Sequence, residues 1–294
     1  MKFTRHIKRF CVGSGRGFKL AAFDPAETGG LDIDKSTAKD MIAAGLAGLT
    51  DMHEKLYAQN RWALLVVLQG VDTAGKDGVI KHVMSGLNPQ GCEVHAFKTP
   101  TPEELEHDFL WRCAKHLPER GRIGIFNRSY YEDVLVVRVK PELIHGQHLP
   151  PHLVTKKFWQ QRFKSIRAFE HHLVRNGTVV LKFHLRISKE EQRRRLLARL
   201  DEPAKRWKFS MSDLEGHERF DKYMTAYEEA IRETATAYAP WYVVPADHKW
   251  FAWLTVAAAI TAVMERLDLR YPMVQGKALA ELRKVERALS REED

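Results

Sequence analysis

Five stretches of the chain are nearly continuous in apolar residues: WALLVVLQ (62–69), EVHAF (93–97), RIGIF (122–126), TVVLKFHL (178–185) and WYVV (241–244). Runs of this kind are expected of strands covered on both faces. Between them the pattern changes to helical. Residues 101–117 open with Thr101, Pro102, Glu103 and Glu104, a cap, a proline at the first helical position and a capping-box glutamate. Leu105, Phe109, Cys113 and Leu117 follow at every fourth position and predict one continuous helix with a buried stripe. A second long helix is predicted over 153–176, closed by Asn176 and Gly177. Strands alternating with helices predict an α/β fold built on a parallel, doubly wound sheet.

The ends of the chain carry further helices. Ile42, Leu46, Leu49, Met52 and Leu56 recur at helical spacing within 36–58, giving an extra helix outside the sheet in an N-terminal arm of residues 1–60. Leu279, Leu282, Val285 and Leu289 mark an amphipathic C-terminal helix in 277–294, expected to pack on its own domain, with a role in oligomerisation as the alternative. No repeat and no Gly/Ser linker divides the 294 residues, so a single domain with an insertion is expected. The longest apolar stretch, 251–263, is followed at once by Glu265 and Arg266 and reads as a buried helix.

Candidate chemistry starts at the first strand. GVDTAGKDG (70–78) places Gly70, Gly75 and Lys76 in the G-x-x-x-x-G-K pattern, after a predicted strand and before a predicted helix. Backbone N–H groups of such a loop wrap phosphate oxygens, and the lysine and helix N-terminus add positive potential. Thr73, Ala74, Gly78 and Lys81 complete the expected phosphate-binding set. The usual hydroxyl after the lysine is replaced by Asp77, and Asp72 lies inside the loop. A bare carboxylate ~4 Å from a phosphate is repelled by ~4 kcal/mol at an effective dielectric near 20. A divalent cation between them reverses the sign, and hard oxygen ligands suit Mg²⁺. Asp72 is therefore a candidate metal-organising carboxylate, whereas Asp77 is expected to face outward.

A second cluster follows the third strand, in RIGIFNRSYYEDV (122–134). It lies at the carboxyl edge, where doubly wound sheets bind ligands. Arg128 can clamp phosphate, and Glu132 or Asp133 can complete a magnesium shell. After the fourth strand, residues 188–215 read as a basic lid inserted in the fold. Ser188 and Glu191 signal its helix start, Arg193, Arg194, Arg195 and Arg199 crowd the helix, and Lys205, Arg206 and Lys208 surround Trp207. Phosphoryl transfer needs both such a cover and such charge.

Composition narrows the class only slightly. The formal net charge is +9, which favours a polyanionic partner, whether nucleic acid, acidic membrane surface or phosphate chain. Three cysteines without CxxC spacing point to a reducing compartment, and the first 20 residues lack the apolar block of a secretory signal, so a cytoplasmic protein is expected. His171 and His172 are adjacent on one helix and do not share a face, which argues against a metal pair there.

Taken together, GVDTAGKDG, HDFLWR (107–112), GIFNRSYYEDVLVVRV (124–139) and KRWKFS (205–210) resemble the polyphosphate kinase 2 family, and FNRSYYED resembles its third class. The resemblance extends over nearly the whole chain, including DPAETGG (24–30). It implies a P-loop kinase-like three-layer α/β/α sandwich with a basic helical lid. It also implies reversible phosphoryl transfer from inorganic polyphosphate to nucleoside mono- or diphosphates with Mg²⁺, or Mn²⁺ in its place. Carried over, Asp72, Lys76, Arg128, Glu132 and Asp133 are the catalytic set, with Asp72 and Asp133 on the metal. Arg199, Lys205, Arg206 and Lys208 belong to the lid, and a homo-oligomer, dimer or tetramer, is implied. No nucleic-acid or membrane partner is expected. The rivals are an ATP-dependent nucleotide kinase and a basic RNA-binding module; no RNP-like strand or paired aromatic platform supports the latter.

Overall fold

The computed structural model describes residues 7–31 and 35–290; the first and last few residues of the expected arm and tail lie outside it. Six strands form one sheet: β1 (Cys11–Val12), β2 (Ala63–Gln69), β3 (Cys92–Ala96), β4 (Ile123–Asn127), β5 (Thr178–Arg186) and β6 (Trp241–Pro245). Their order is β1-β6-β5-β2-β4-β3, all neighbours parallel except the two-residue β1, which runs antiparallel to β6. All five predicted strands are present. β1 was not predicted, because two residues carry no period.

Central β2 is buried at every residue, consistent with its unbroken apolar run. Around the sheet, in chain order, lie α1 (Lys35–Gln59), α2 (Lys76–Val83), α3 (Pro102–Leu105), α4 (Trp111–Ala114), α5 (Glu132–Val139), α6 (Phe158–Arg175), α7 (Lys189–Asp201), α8 (Met211–Glu218), α9 (Phe220–Thr234), α10 (Lys249–Met264) and α11 (Gly276–Leu289). On one face α10 packs against α1 and α2; on the other α9 packs against α5 and α6. Helix α10 and the turn after it are apolar and long enough to cross a membrane, yet more than half of that stretch is buried inside this protein.

Two expectations are corrected. The helix over 101–117 is two short pieces, α3 and α4, although Thr101 does make the full capping box with Glu104. A turn at Asp108 separates them, its carboxylate accepting from the Leu110 N–H, so a local side-chain bond replaces the helical ladder. Helix α11 does form, but Leu279, Leu282, Val285 and Leu289 are between 36% and 59% exposed, so the row does not pack on its own domain.

A buried polar network sets the start of α5. Lys182 of β5 donates to Glu170 of α6 at 2.6 Å, both side chains wholly out of solvent. The hydroxyls of Tyr130 and Tyr131 reach the other Glu170 oxygen at 3.0 and 2.8 Å. Thr234 accepts from Lys182 through its carbonyl at 2.9 Å and from Trp241 through its hydroxyl at 2.9 Å. Removing one partner of such a pair strands the other charge in the core. Glu170→Ala is expected to lower unfolding free energy by about 3–5 kcal/mol in urea titration, whereas Val285→Ser on exposed α11 changes it by under ~0.5 kcal/mol.

Candidate active site

The carboxyl ends of β2 and β4 bring the two sequence clusters together. Between β2 and α2 the chain turns through residues 70–75. A Cβ on Gly70 would lie 2.9 Å from both the Leu185 carbonyl oxygen and the Ala74 Cβ, so only glycine fits. Gly75 has φ +106, open to glycine at no steric penalty, but Thr73 sits at φ +66, which a β-branched residue adopts only under constraint. Lys76 opens α2 and folds its side chain back over the loop, donating to the carbonyls of Gly70 at 2.6 Å and Val71 at 3.3 Å. Burial, with Arg128 adding to it, lowers its pKa to about 8 against the opposing charges of Asp72, Glu132 and Asp77.

Arg128 follows β4 with φ +66 and stands between two carboxylates. Its guanidinium donates to Asp72 at 2.7 Å and to Glu132 at 3.3 Å. Glu132 is held from the other side by Gln69, at 2.9 Å. The charge of Glu132, ahead of that of Asp72, raises the Arg128 pKa. Gly70, Asp72, Arg128, Glu132, Gln192 and Gly216 line one solvent-open cavity, with Tyr223 and Tyr227. Behind its wall His184 stacks on Tyr227 at 4.1 Å and stays neutral, burial pulling its pKa to about 3.

The structure thus places Asp72, Arg128 and Glu132 around one space, with Lys76 folded over the adjoining loop within electrostatic reach of all three. Asp77 is exposed at the start of α2, as expected, and accepts from Asn127 at 2.8 Å; Lys81 is exposed one turn further on. Asp133 departs from its expected place. Successive helical residues point about 100° apart, so Glu132 faces the loop and Asp133 turns away from it. Asp133 Oδ1 accepts from Arg162 at 3.0 Å and Gln147 at 2.7 Å, and the side chain lines a second, smaller cavity with Leu105, Phe109 and Arg112. Burial raises the Asp133 pKa in spite of Arg162. The expected pairing of Asp72 and Asp133 about one ion does not match this arrangement.

The cations expected of a lid are turned to acids and a carbonyl of the same 188–215 segment. Arg199 donates to Asp213 at 3.1 Å, Lys205 to Glu202, Arg194 to Glu191 and Arg206 to the Leu200 carbonyl. The side chain of Lys208 lies outside the described residues. Helix α8, through Gly216, and α7, through Gln192 rather than its arginines, both reach Asp72. A Cβ on Gly216 would lie 3.5 Å from Asp72 Oδ2, so the glycine leaves open the space that this oxygen faces. Asp72 and Glu132 offer hard carboxylate oxygens to that space, a donor set that suits Mg²⁺. Among the described residues no group of three or more His, Cys, Asp or Glu forms a complete cage. That is compatible with an ion bound partly by phosphate oxygens.

Sequence reasoning missed Gly216, Gln192 and the second cavity. Gly216 had a signal: glycine inside a helix is unfavourable by ~1 kcal/mol against alanine and calls for a reason such as close approach. Gln192, whose amide donates to the Asp72 carbonyl at 3.3 Å, had none.

Comparison with known proteins places the chain in a family. The chain is 49% identical to an ADP-polyphosphate phosphotransferase of Rhodopseudomonas palustris, over 90% of this chain and 92% of that one. It is 46% identical to an AMP/ADP-polyphosphate phosphotransferase of Meiothermus ruber, over 90% and 96%. The crystal structure of polyphosphate kinase 2 from Arthrobacter aurescens TC1 superposes with a TM-score of 0.87 at 40% identity, covering 96% of each chain. Residues 32–272 match the profile of polyphosphate kinase 2 (PPK2). With the phosphate loop and the Asp72–Arg128–Glu132 cluster joined at one sheet edge, the chain belongs to the polyphosphate kinase 2 family.

Proposed function

We propose that this protein transfers the terminal phosphoryl group of inorganic polyphosphate to a nucleoside mono- or diphosphate. The observation that carries the reading is that Asp72, Arg128 and Glu132 line one cavity beside a loop whose Lys76 feels the charge of all three, in a chain of this family. The terminal phosphate of the donor would lie on the N–H groups of residues 70–75, with Lys76 exchanging its loop carbonyls for phosphate oxygens. Arg128, between the two carboxylates, would balance charge spread over the transferring group. An oxygen of the acceptor's last phosphate attacks in line, forming the new P–O bond as the polyphosphate P–O bond breaks. That oxygen is already largely ionised at neutral pH, so no strong base is required. Mg²⁺, held by Asp72 and Glu132, would neutralise phosphate charge and keep the two carboxylates from repelling the donor; Mn²⁺ would serve the same ligands. The acceptor's base would occupy the second cavity, with Phe109 and Leu105 as apolar walls and Gln147 and Asp133 as polar edges.

An ATP-donating kinase is the weaker reading. The residue after the lysine is Asp77, whose carboxylate is bonded to Asn127 in place of a metal-binding hydroxyl.

With ADP, polyphosphate and magnesium the purified protein is expected to form ATP. Lys76→Ala should lower the rate by ~10²–10³-fold; equal rates in the two proteins would end the reading. The pH dependence follows from the lowered Lys76 pKa. The ammonium is charged below about pH 8 and is lost as pH rises through that value. Hence kcat/KM for polyphosphate should fall across pH 8–9 in the wild type, and a pH–rate profile of Lys76→Arg, which stays charged, should lack that limb. Leu105→Trp, which fills the second cavity, should raise the nucleotide KM by ~10-fold or more while the polyphosphate KM stays within ~2-fold.

A further inference from the structure

Arg195 is the buried arginine of the RRR run. Its side chain is 6% exposed, against 67% for neighbouring Arg194. A guanidinium carries five N–H donors, and Arg195 makes five hydrogen bonds. Nε donates to Glu191 at 2.6 Å. Nη1 donates to the carbonyls of Thr73 at 3.0 Å and Ala74 at 3.2 Å, both in the phosphate loop. Nη2 donates to the carbonyls of Ala246 at 2.6 Å and Asp247 at 3.0 Å, in the turn between β6 and α10. With every donor engaged, this side chain has none left for a substrate phosphate.

We propose that Arg195 is a positioning residue that braces the phosphate loop from behind and sets its affinity for the donor. The physical argument is one of sidedness. For a loop to present N–H groups to an anion, its carbonyls must turn to the opposite side. There they need partners, since an unpaired buried carbonyl is unfavourable. Arg195 supplies two of those partners at the position where the backbone is most constrained, Thr73 at φ +66 followed by Gly75 at φ +106. The brace has its own footing. Asp247 accepts from the Ser188 N–H at 2.8 Å, which begins α7, and its own N–H donates to Pro25 of the N-terminal arm at 3.1 Å. Arm, lid helix and loop therefore meet at one guanidinium. Glu191 pairs with it and with Arg194, while every contact from Arg195 to the loop is a hydrogen bond to a backbone carbonyl, so the effect on the loop is geometric.

The proposal rests on the loop being the donor cradle, and the test separates the two ideas. Arg195→Ala and Arg195→Lys are assayed beside Lys76→Ala, with polyphosphate and ADP varied in turn. A misplaced reactive group typically loses ~10²-fold. Arg195→Ala is expected to raise the polyphosphate KM by at least ~10-fold, to leave the ADP KM within ~2-fold, and to regain several-fold activity when guanidinium ion is added at tens of millimolar. Lys76→Ala should not respond to guanidinium. Arg195→Lys keeps the charge but not the fork, so its polyphosphate KM should also rise by ~10-fold. If Arg195→Ala does not fold, Arg195→Lys decides alone. A wild-type polyphosphate KM in either folded variant overturns the brace, as does a loss that falls equally on both substrates and ignores guanidinium. A fully active Lys76→Ala would instead overturn the donor cradle.

Discussion

An ion pair with no access to water lies at the centre of the molecule. Lys182 and Glu170 are 2.6 Å apart at zero exposure. Taking two charges out of solvent is unfavourable, and their attraction offsets it only where further hydrogen bonds satisfy both groups. Here Tyr130, Tyr131 and Thr234 supply them. The arrangement joins β5, α6 and α9 to the two residues directly before Glu132. Because Tyr130 and Tyr131 are fixed from below, Arg128 and Glu132 come off the end of β4 in one orientation. The polar core therefore determines where charge appears at the surface.

The upper layer of this scaffold consists of charged groups that restrain one another. Lys76 caps its own loop, Arg128 bridges Asp72 and Glu132, and Arg199 is bonded to Asp213. Each is an electrostatic contact among groups that a phosphate would also engage. These mutual contacts explain how so many charges coexist around one cavity.

Much of this was legible in the residues. Four strands and the loop follow from apolar runs and glycine spacing, because burial on both faces and φ > 0 leave few alternatives at those positions; β3 is present as expected but lies at the sheet edge and is only half covered. The less legible parts are those decided by direction. Spacing cannot tell whether Glu132 or Asp133 faces the loop; helix phase does, and Asp133 faces Arg162 and Gln147. Nor could composition divide the RRR run, in which Arg194 is exposed at 67% and Arg195 buried at 6%. The break between α3 and α4 was masked by a perfect i+4 stripe, since the signal at Asp108 is a single side-chain bond. The exposed row on α11 is periodic without being covered, because amphipathic spacing reports a face and not its neighbour.

The sheet also controls where other chains can add to it. One side closes with β1, two residues long and too short to template a further strand. On the other side β3 carries Glu93 and His95, and Arg122 stands beside Glu93. Charges of this kind discourage edge-to-edge growth of a parallel core as apolar as WALLVVLQ. The hydrophobic strands that hold the phosphate loop in place are thereby kept from becoming nuclei of aggregation.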